Sequence, residues 1–159
     1  MASEHESSVS YYKLTTGDNA TGSCNSPFLR VAQSRIPNAG SGLFTIEALR
    51  KDTHVAIYTG RIYSLSELQQ WVSDRRYVMK IGINLYVDAK YTPWVLARYI
   101  NDPRDSSRVN VMVTKDVSAK QATLKTIRNV QAGEELYIDY GIWYWLAYNM
   151  IYTPVKKKH

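Results

Sequence analysis

The stretch Val130-Gln131-Ala132-Gly133-Glu134-Glu135-Leu136-Tyr137-Ile138-Asp139-Tyr140-Gly141 constrains the fold most. Gly133 marks a turn. Leu136 and Ile138 then alternate with Tyr137 and Asp139, the period-two pattern of a strand. The strand stops at Asp139-Tyr140-Gly141, so a phenol is held at its end. Tyrosine has few side-chain torsions to fix, so its hydroxyl is aimed at small entropic cost. Taken alone, the same residues also describe a core tyrosine beside a turn.

The rest of the chain is punctuated at short intervals, which points to many short strands and few helices. Residues 1–26 are polar and small and read as disordered or loosely attached. Order begins near 28–31, a short strand. A tight loop over 35–42 follows, with Pro37, Gly40 and Gly42, and Leu43-Phe44 return to the core. Strands at 45–49 and 54–58 read as a pair split by Arg50-Lys51-Asp52. Ser64-x-x-Glu67 fits a capping box. Leu65, Leu68, Trp71 and Val72 then predict a helix over 65–76. A hairpin over 77–81 and 84–88 turns at Gly82. Pro93 opens a short helical or turn segment through Arg98, and 101–107 is a polar loop. Strands follow at 109–113 and 123–129, then an aromatic-rich helix over 142–152.

Length and charge bound the function classes. A chain of 159 residues suits one domain with a real core. The expected division is a loose segment 1–26, a folded domain 27–152 and a basic tail 153–159. Net charge is +6, of which Lys156, Lys157 and Lys158 supply three, leaving a weak field elsewhere. A lone Cys24 forms neither an internal disulfide nor a zinc site, so the chain reads as intracellular. No signal peptide or membrane-spanning apolar run is visible. His5, His54 and His159 are scattered, so no metal site or histidine-based nucleophile is expected. No P-loop, H-E-x-x-H, EF-hand or known nucleic-acid motif occurs. Arg98 and Glu135 read as a structural pair.

Four features stand in a telling order: Gly40-Ser41-Gly42 before Leu43-Phe44, then Tyr58-x-Gly60, then Arg98-Tyr99-Ile100-Asn101, then Glu135-Leu136-x-x-Asp139-Tyr140-Gly141. Between them runs Leu85-Tyr86-Val87-Asp88-Ala89. In this order and spacing they resemble the SET domain of protein lysine methyltransferases, over about 28–148. Two departures stand out. Asn101 is followed by Asp102 where the family has histidine, and the next asparagine is Asn110, which resembles the PR subtype. The cysteine-rich zinc segment after the domain is missing. Trp143, Tyr144, Trp145 and Tyr148 stand there instead, as at the C-terminal end of very small viral SET domains.

The resemblance implies a mainly β fold of several short antiparallel sheets with two short helices and a knot-like C-terminal threading. It implies S-adenosylmethionine as cofactor. Backbone around Gly40, Ser41, Gly42 and Leu43 would cradle its methionine part. The Asn101 amide would bind its amino or carboxylate end, and Asp102 backbone would meet the adenine. Tyr140 would be the principal catalytic hydroxyl, and Tyr58 would line the lysine channel. Trp145 or Tyr144 would cover the adenine or the channel. Ile138, two before Tyr140, leaves the number of methyls open.

The implied activity is methylation of lysine in a basic protein tail such as a histone, which would place the protein in the nucleus. No membrane partner and no direct nucleic-acid contact are expected, and a dimer stays open. Two other readings remain: a weak or inactive SET/PR-like module that binds protein partners, favoured by Asp102, and a basic nucleic-acid-binding domain.

Overall fold

The structure, a computed structural model, describes residues 27–152. The expected loose segment 1–26, with Cys24, and the basic tail 153–159 lie outside the described residues. The fold is mainly β, with three small antiparallel sheets and two helices. Strands β1 (Leu29–Gln33) and β2 (Ser41–Thr45) form a hairpin in the register Leu29 to Thr45 and Gln33 to Ser41. Strands β3 (His54–Tyr58), β7 (Val111–Asp116) and β8 (Gln121–Thr126) form a sheet in the order β3-β8-β7. Strands β4 (Arg61–Tyr63), β5 (Val78–Gly82) and β6 (Leu85–Asp88) form another in the order β4-β6-β5. Helix α1 spans Leu65–Trp71 and α2 spans Ile142–Tyr152. Neither is long and apolar enough to cross a membrane.

Helix α1 starts as its sequence predicts. The Ser64 hydroxyl accepts from the Glu67 N–H, and the Glu67 carboxylate accepts from the Ser64 N–H at 2.8 Å. It ends earlier than 76, because Val72 is extended and turns into a small core with Tyr63 and Leu68. Ser73 and Asp74 are weak helix formers. Asp74 instead pairs with Arg76 and Lys90.

The predicted pairing of 45–49 with 54–58 does not form. Strand β2 stops at Thr45, Leu49 bridges Val130, and β3 pairs with β8 in the register Ala56 to Leu124 and Tyr58 to Ala122. The turn before β3 is tied to the end of β8: Thr126 Oγ1 donates to the Arg50 carbonyl at 2.6 Å and accepts from the Thr53 N–H. Strand β3 is buried from Val55 through Tyr58 and needs a long partner rather than a short local one. Strand β4 was not foreseen. It follows Gly60, where a Cβ would lie 2.2 Å from the Asp88 carbonyl oxygen, so only glycine lets β4 meet β6.

The stretch ending in Tyr140 is not a regular strand. Glu135, Leu136, Tyr137 and Ile138 are all buried, so the alternation did not mark one wet face. The segment is hydrogen-bonded to neighbours on both sides. On one side Leu136 N–H donates to the Leu43 carbonyl at 2.7 Å. On the other, Ile138 N–H donates to the Asn101 carbonyl at 3.1 Å, and the Tyr137 carbonyl accepts from the Asn110 and Val111 N–H groups. Tyr137 forms a parallel bridge with Asn101. This two-sided pairing brings the Gly40, Asn101 and Tyr140 motifs together.

Candidate functional site

Glu135 sits at the centre of the first cluster, 2% exposed. A buried carboxylate is stable only when hydrogen-bonded. Its oxygens accept from the Ser34 hydroxyl at 2.6 Å, the Arg35 N–H at 2.7 Å and the Tyr137 hydroxyl at 2.8 Å. Gly42 makes room for it: a Cβ there would lie 2.2 Å from Glu135 Oε1. The close approach at Gly42 therefore serves an internal carboxylate. Gly40 is different, with a φ of +73° and open space where a Cβ would be. Ser41 beside it is exposed, whereas Leu43 is fully buried. The Asn101 amide nitrogen donates to the Ser41 carbonyl at 2.9 Å and to Glu135 Oε1 at 3.5 Å. The Asn101 amide thus ties the Gly40-Ser41 turn to Glu135, and its Oδ1 is an acceptor.

Asp102, directly after Asn101, is 8% exposed and acts through its side chain. Its carboxylate accepts from the Tyr140 N–H at 3.0 Å, the Trp145 indole N–H at 2.7 Å and the Arg104 N–H at 2.6 Å. It therefore fixes the start of α2 against the 3-10 turn Leu96–Tyr99 and the loop that follows. The Trp145 ring lies nearly parallel to Tyr140 at 5.9 Å, and the Arg104 guanidinium covers it at 4.3 Å.

Tyr140 also borders a cavity of about 580 Å³, with Tyr58, Ile138, Met79, Arg98 and Tyr144 among its walls. The Tyr140 hydroxyl donates to the Ile100 carbonyl at 2.7 Å, and the Tyr58 hydroxyl donates to the Tyr77 carbonyl. Each phenol has thus committed its proton to backbone and keeps its oxygen lone pairs as acceptors. Burial pushes the Tyr140 hydroxyl well above the usual phenol range, and the neighbouring Tyr144, Tyr58 and Asp102 add to it. Burial raises Tyr58 in the same direction, with the Asp88 carboxylate next, while Arg98 opposes. Burial likewise raises Asp88, whose carboxylate accepts from the Lys90 N–H in the turn after β6.

The predicted site residues thus fall into two groups. Gly40, Ser41, Gly42, Leu43 and Asn101 gather about Glu135. Tyr58 and Tyr140 share the cavity. The run Ile100-Asn101-Asp102 joins the groups through the Tyr140 hydroxyl and N–H. Of the α2 aromatics, Tyr144 lines the cavity and packs edge-on against Tyr140 at 4.6 Å. Trp145 turns toward Asp102.

The expected Arg98–Glu135 pair is absent. Arg98 donates to the Lys90 carbonyl at 3.0 Å and lies over the Tyr77 ring at 4.3 Å. Glu135 is satisfied from Ser34, Arg35 and Tyr137 instead. Sequence reasoning missed Ser34, whose hydroxyl reaches across 101 residues. It also gave Asn110 no role beyond its spacing. The Asn110 side chain donates to the Glu135 carbonyl at 2.9 Å and accepts from the Tyr137 N–H at 2.8 Å, as a neighbouring strand would. The signal for such residues is a polar side chain in an apolar stretch, since a buried amide needs partners. Among the described residues no cluster of His, Cys, Asp and Glu could hold a metal ion.

The SET domain family profile matches residues 40–141 of the chain. Among solved structures, a humanized mutant of the Chaetomium thermophilum Polycomb Repressive Complex 2 bound to the inhibitor GSK126 is similar at 26% identity and a TM-score of 0.58. The crystal structure of the Chaetomium thermophilum polycomb repressive complex 2 is similar at 28% identity and 0.58. An apo form of that complex with mutations in Ezh2 is similar at 28% and 0.59. Each match covers 71% of this chain and 15% of the other. No curated protein sequence matches the chain.

Proposed function

Because the chain belongs to the SET domain family, we propose that it is a protein lysine N-methyltransferase using S-adenosylmethionine. The observation that carries this is the pair of neutral phenols, buried Tyr58 and half-buried Tyr140, lining one cavity with their protons on backbone carbonyls. Such hydroxyl oxygens accept a hydrogen bond from an amine and so orient its lone pair. They do not serve as phenolate bases, since burial keeps them protonated.

A free lysine has a pKa of about 10.4 and is almost all ammonium at neutral pH. The apolar walls at Ile100, Ile138 and Met79 disfavour that charge by desolvation, and the Arg98 cation disfavours it further. The proton leaves to solvent before the amine is seated between the tyrosines. Holding the amine in line with the donor is then the main contribution of the chain.

The bound cofactor supplies the electrophilic methyl group. The residues near Gly40 fit it: the backbone at Gly40-Ser41 is open, and Asn101 Oδ1 is an acceptor beside it. In this reading Oδ1 takes the amino end of the cofactor, and Asp102 backbone borders the adenine. Gly42 and Leu43 hold the ledge from behind, and Trp145 belongs to the cofactor side, leaving the channel to Tyr144. The Asn101-Asp102 and Asn110 spacing supports a PR-like reading, and the aromatic C-terminal end resembles small viral members.

The substrate is a lysine in a protein segment. A histone tail is the member of that class the resemblance implies, and a nuclear location follows from it. The chain spans 15% of the length of the neighbouring chains. The test is transfer of labelled methyl from S-adenosylmethionine to histones and cell extract, with Tyr140→Phe as control. Transfer that vanishes in the variant supports the reading. Transfer unchanged in a folded variant, or absent in both with cofactor bound, overturns it.

A further inference from the structure

The walls of the cavity carry an uneven set of charges. Arg75, Arg76, Lys80, Arg98 and Lys115 line it, against the single carboxylate of Asp139. Arg98 lies inside and contacts Tyr77 and Tyr99. Of the others, Arg75 is half-buried and Arg76 is exposed. Lys80 on β5 and Lys115 on β7 are exposed, and the two strands touch. No ion pair among the described residues engages either lysine. Arg76 is paired with Asp74, but that carboxylate is shared with Lys90 at 3.3 Å, so the patch stays positive.

A cavity built for a lysine side chain gains from inner cations only by making the ammonium less stable. Cations at the mouth have another effect, because they meet the residues on either side of the target lysine. Charges are screened over about 10 Å at 0.1 M salt, so only the nearest flanking residues feel them. A basic tail, such as the histone tail that the resemblance implies, would bring like charge against Lys80 and Lys115, so within the class of lysine-bearing segments the mouth favours an acid-flanked one over it. We infer that the cavity mouth selects a target lysine flanked by Asp and Glu, with Lys80 and Lys115 as the specificity-determining residues. The inference rests on the methyltransferase reading for the central lysine but not for the docking of the flanks.

The test uses the full chain and labelled peptides of equal length with a central lysine, one flanked by Asp and Glu and one by Arg and Lys. Binding is read by anisotropy and methyl transfer by kcat/KM. The acid-flanked peptide should lead by about tenfold in both, the sum of several exposed charge pairs of ordinary size. The gap should narrow as salt is raised. Lys80→Glu with Lys115→Glu should remove or reverse the preference at an unchanged melting temperature. Equal or better binding of the basic peptide, or a preference untouched by the charge reversal, overturns the inference. So does a single-stranded oligonucleotide that binds more tightly than the acidic peptide and loses binding in the same variant. Acid-selective binding that responds to the reversal, with no transfer to either peptide, upholds the docking surface and sinks the methyltransferase reading alone.

Discussion

The Asp102 carboxylate holds the backbone N–H of Tyr140 at 3.0 Å. A residue from the loop after Asn101 thereby sets where the phenol begins, and a backbone carbonyl two residues earlier, at Ile100, sets where its hydroxyl ends. The departure from the family's histidine is thus a structural acceptor that serves Tyr140, Trp145 and Arg104 together.

Asp102→Ala strips the acceptor from three buried or half-buried N–H groups. Leaving such donors unsatisfied costs about 1–3 kcal/mol each when no water replaces the partner. The variant should lose stability, but less than that sum, because α2 can shift toward solvent. Chemical denaturation checks this. Asp102→Asn keeps one acceptor oxygen and should fall between the variant and the parent.

Tyr140→Phe and Tyr58→Phe each remove one hydroxyl whose loss from a carbonyl costs about 1 kcal/mol of stability. Methyl transfer should fall far more, by about a hundredfold or greater for Tyr140→Phe, the ordinary scale for losing an orienting polar group in a closed site. Circular dichroism with single-turnover rates separates the two effects. A rate loss no larger than the stability loss would show the hydroxyl to be only structural.

The two glycines of the Gly40-Ser41-Gly42 loop should respond differently. Gly40→Ala meets open space but keeps a positive φ, which costs about 1–2 kcal/mol. Gly42→Ala drives a Cβ into the Glu135 carboxylate and should cost more than Gly40→Ala. Adding Glu135→Ala relieves the clash, so the Gly42→Ala and Glu135→Ala pair should be strongly non-additive in a double-mutant cycle.

Burial raises the pKa of both Tyr58 and Tyr140 in the folded chain. The unfolded chain ionises its tyrosines near the ordinary value of about 10. The stabilisation is therefore complete below pH 10 and is lost as pH rises from there toward the folded values. Denaturant midpoints should hold steady from about pH 8 to 9.5 and then fall. The fall should be shallower in the double variant Tyr58→Phe with Tyr140→Phe.

Local signals were legible and long-range ones were not. The Ser64 capping box, the hairpin about Gly82 and the aromatic helix from Ile142 are written in neighbouring residues. The order of the Gly40, Tyr58, Asn101 and Tyr140 motifs carried the family. The pairing of β3 with β8 was hidden, because Val55 to Tyr58 is buried throughout and does not name its partner. The alternation at Leu136 to Asp139 misled for the same reason: a segment covered on both sides shows no wet face. Asp102 looked like a defect in a motif because two of its three side-chain partners lie 38 and 43 residues away.

The long-range anchoring of Glu135 to Tyr140 has a kinetic consequence. Its anchors are Ser34, Leu43, Asn101 and Asn110, and the Ser34 contact alone closes a loop of 101 residues. Contacts of such high sequence separation form late, since chain entropy must be lost before they are rewarded. Neither tyrosine of the cavity is placed by its own neighbours alone. Refolding experiments should therefore recover far-ultraviolet structure before any binding of S-adenosylmethionine returns, and a slow chain would show a visible lag between the two.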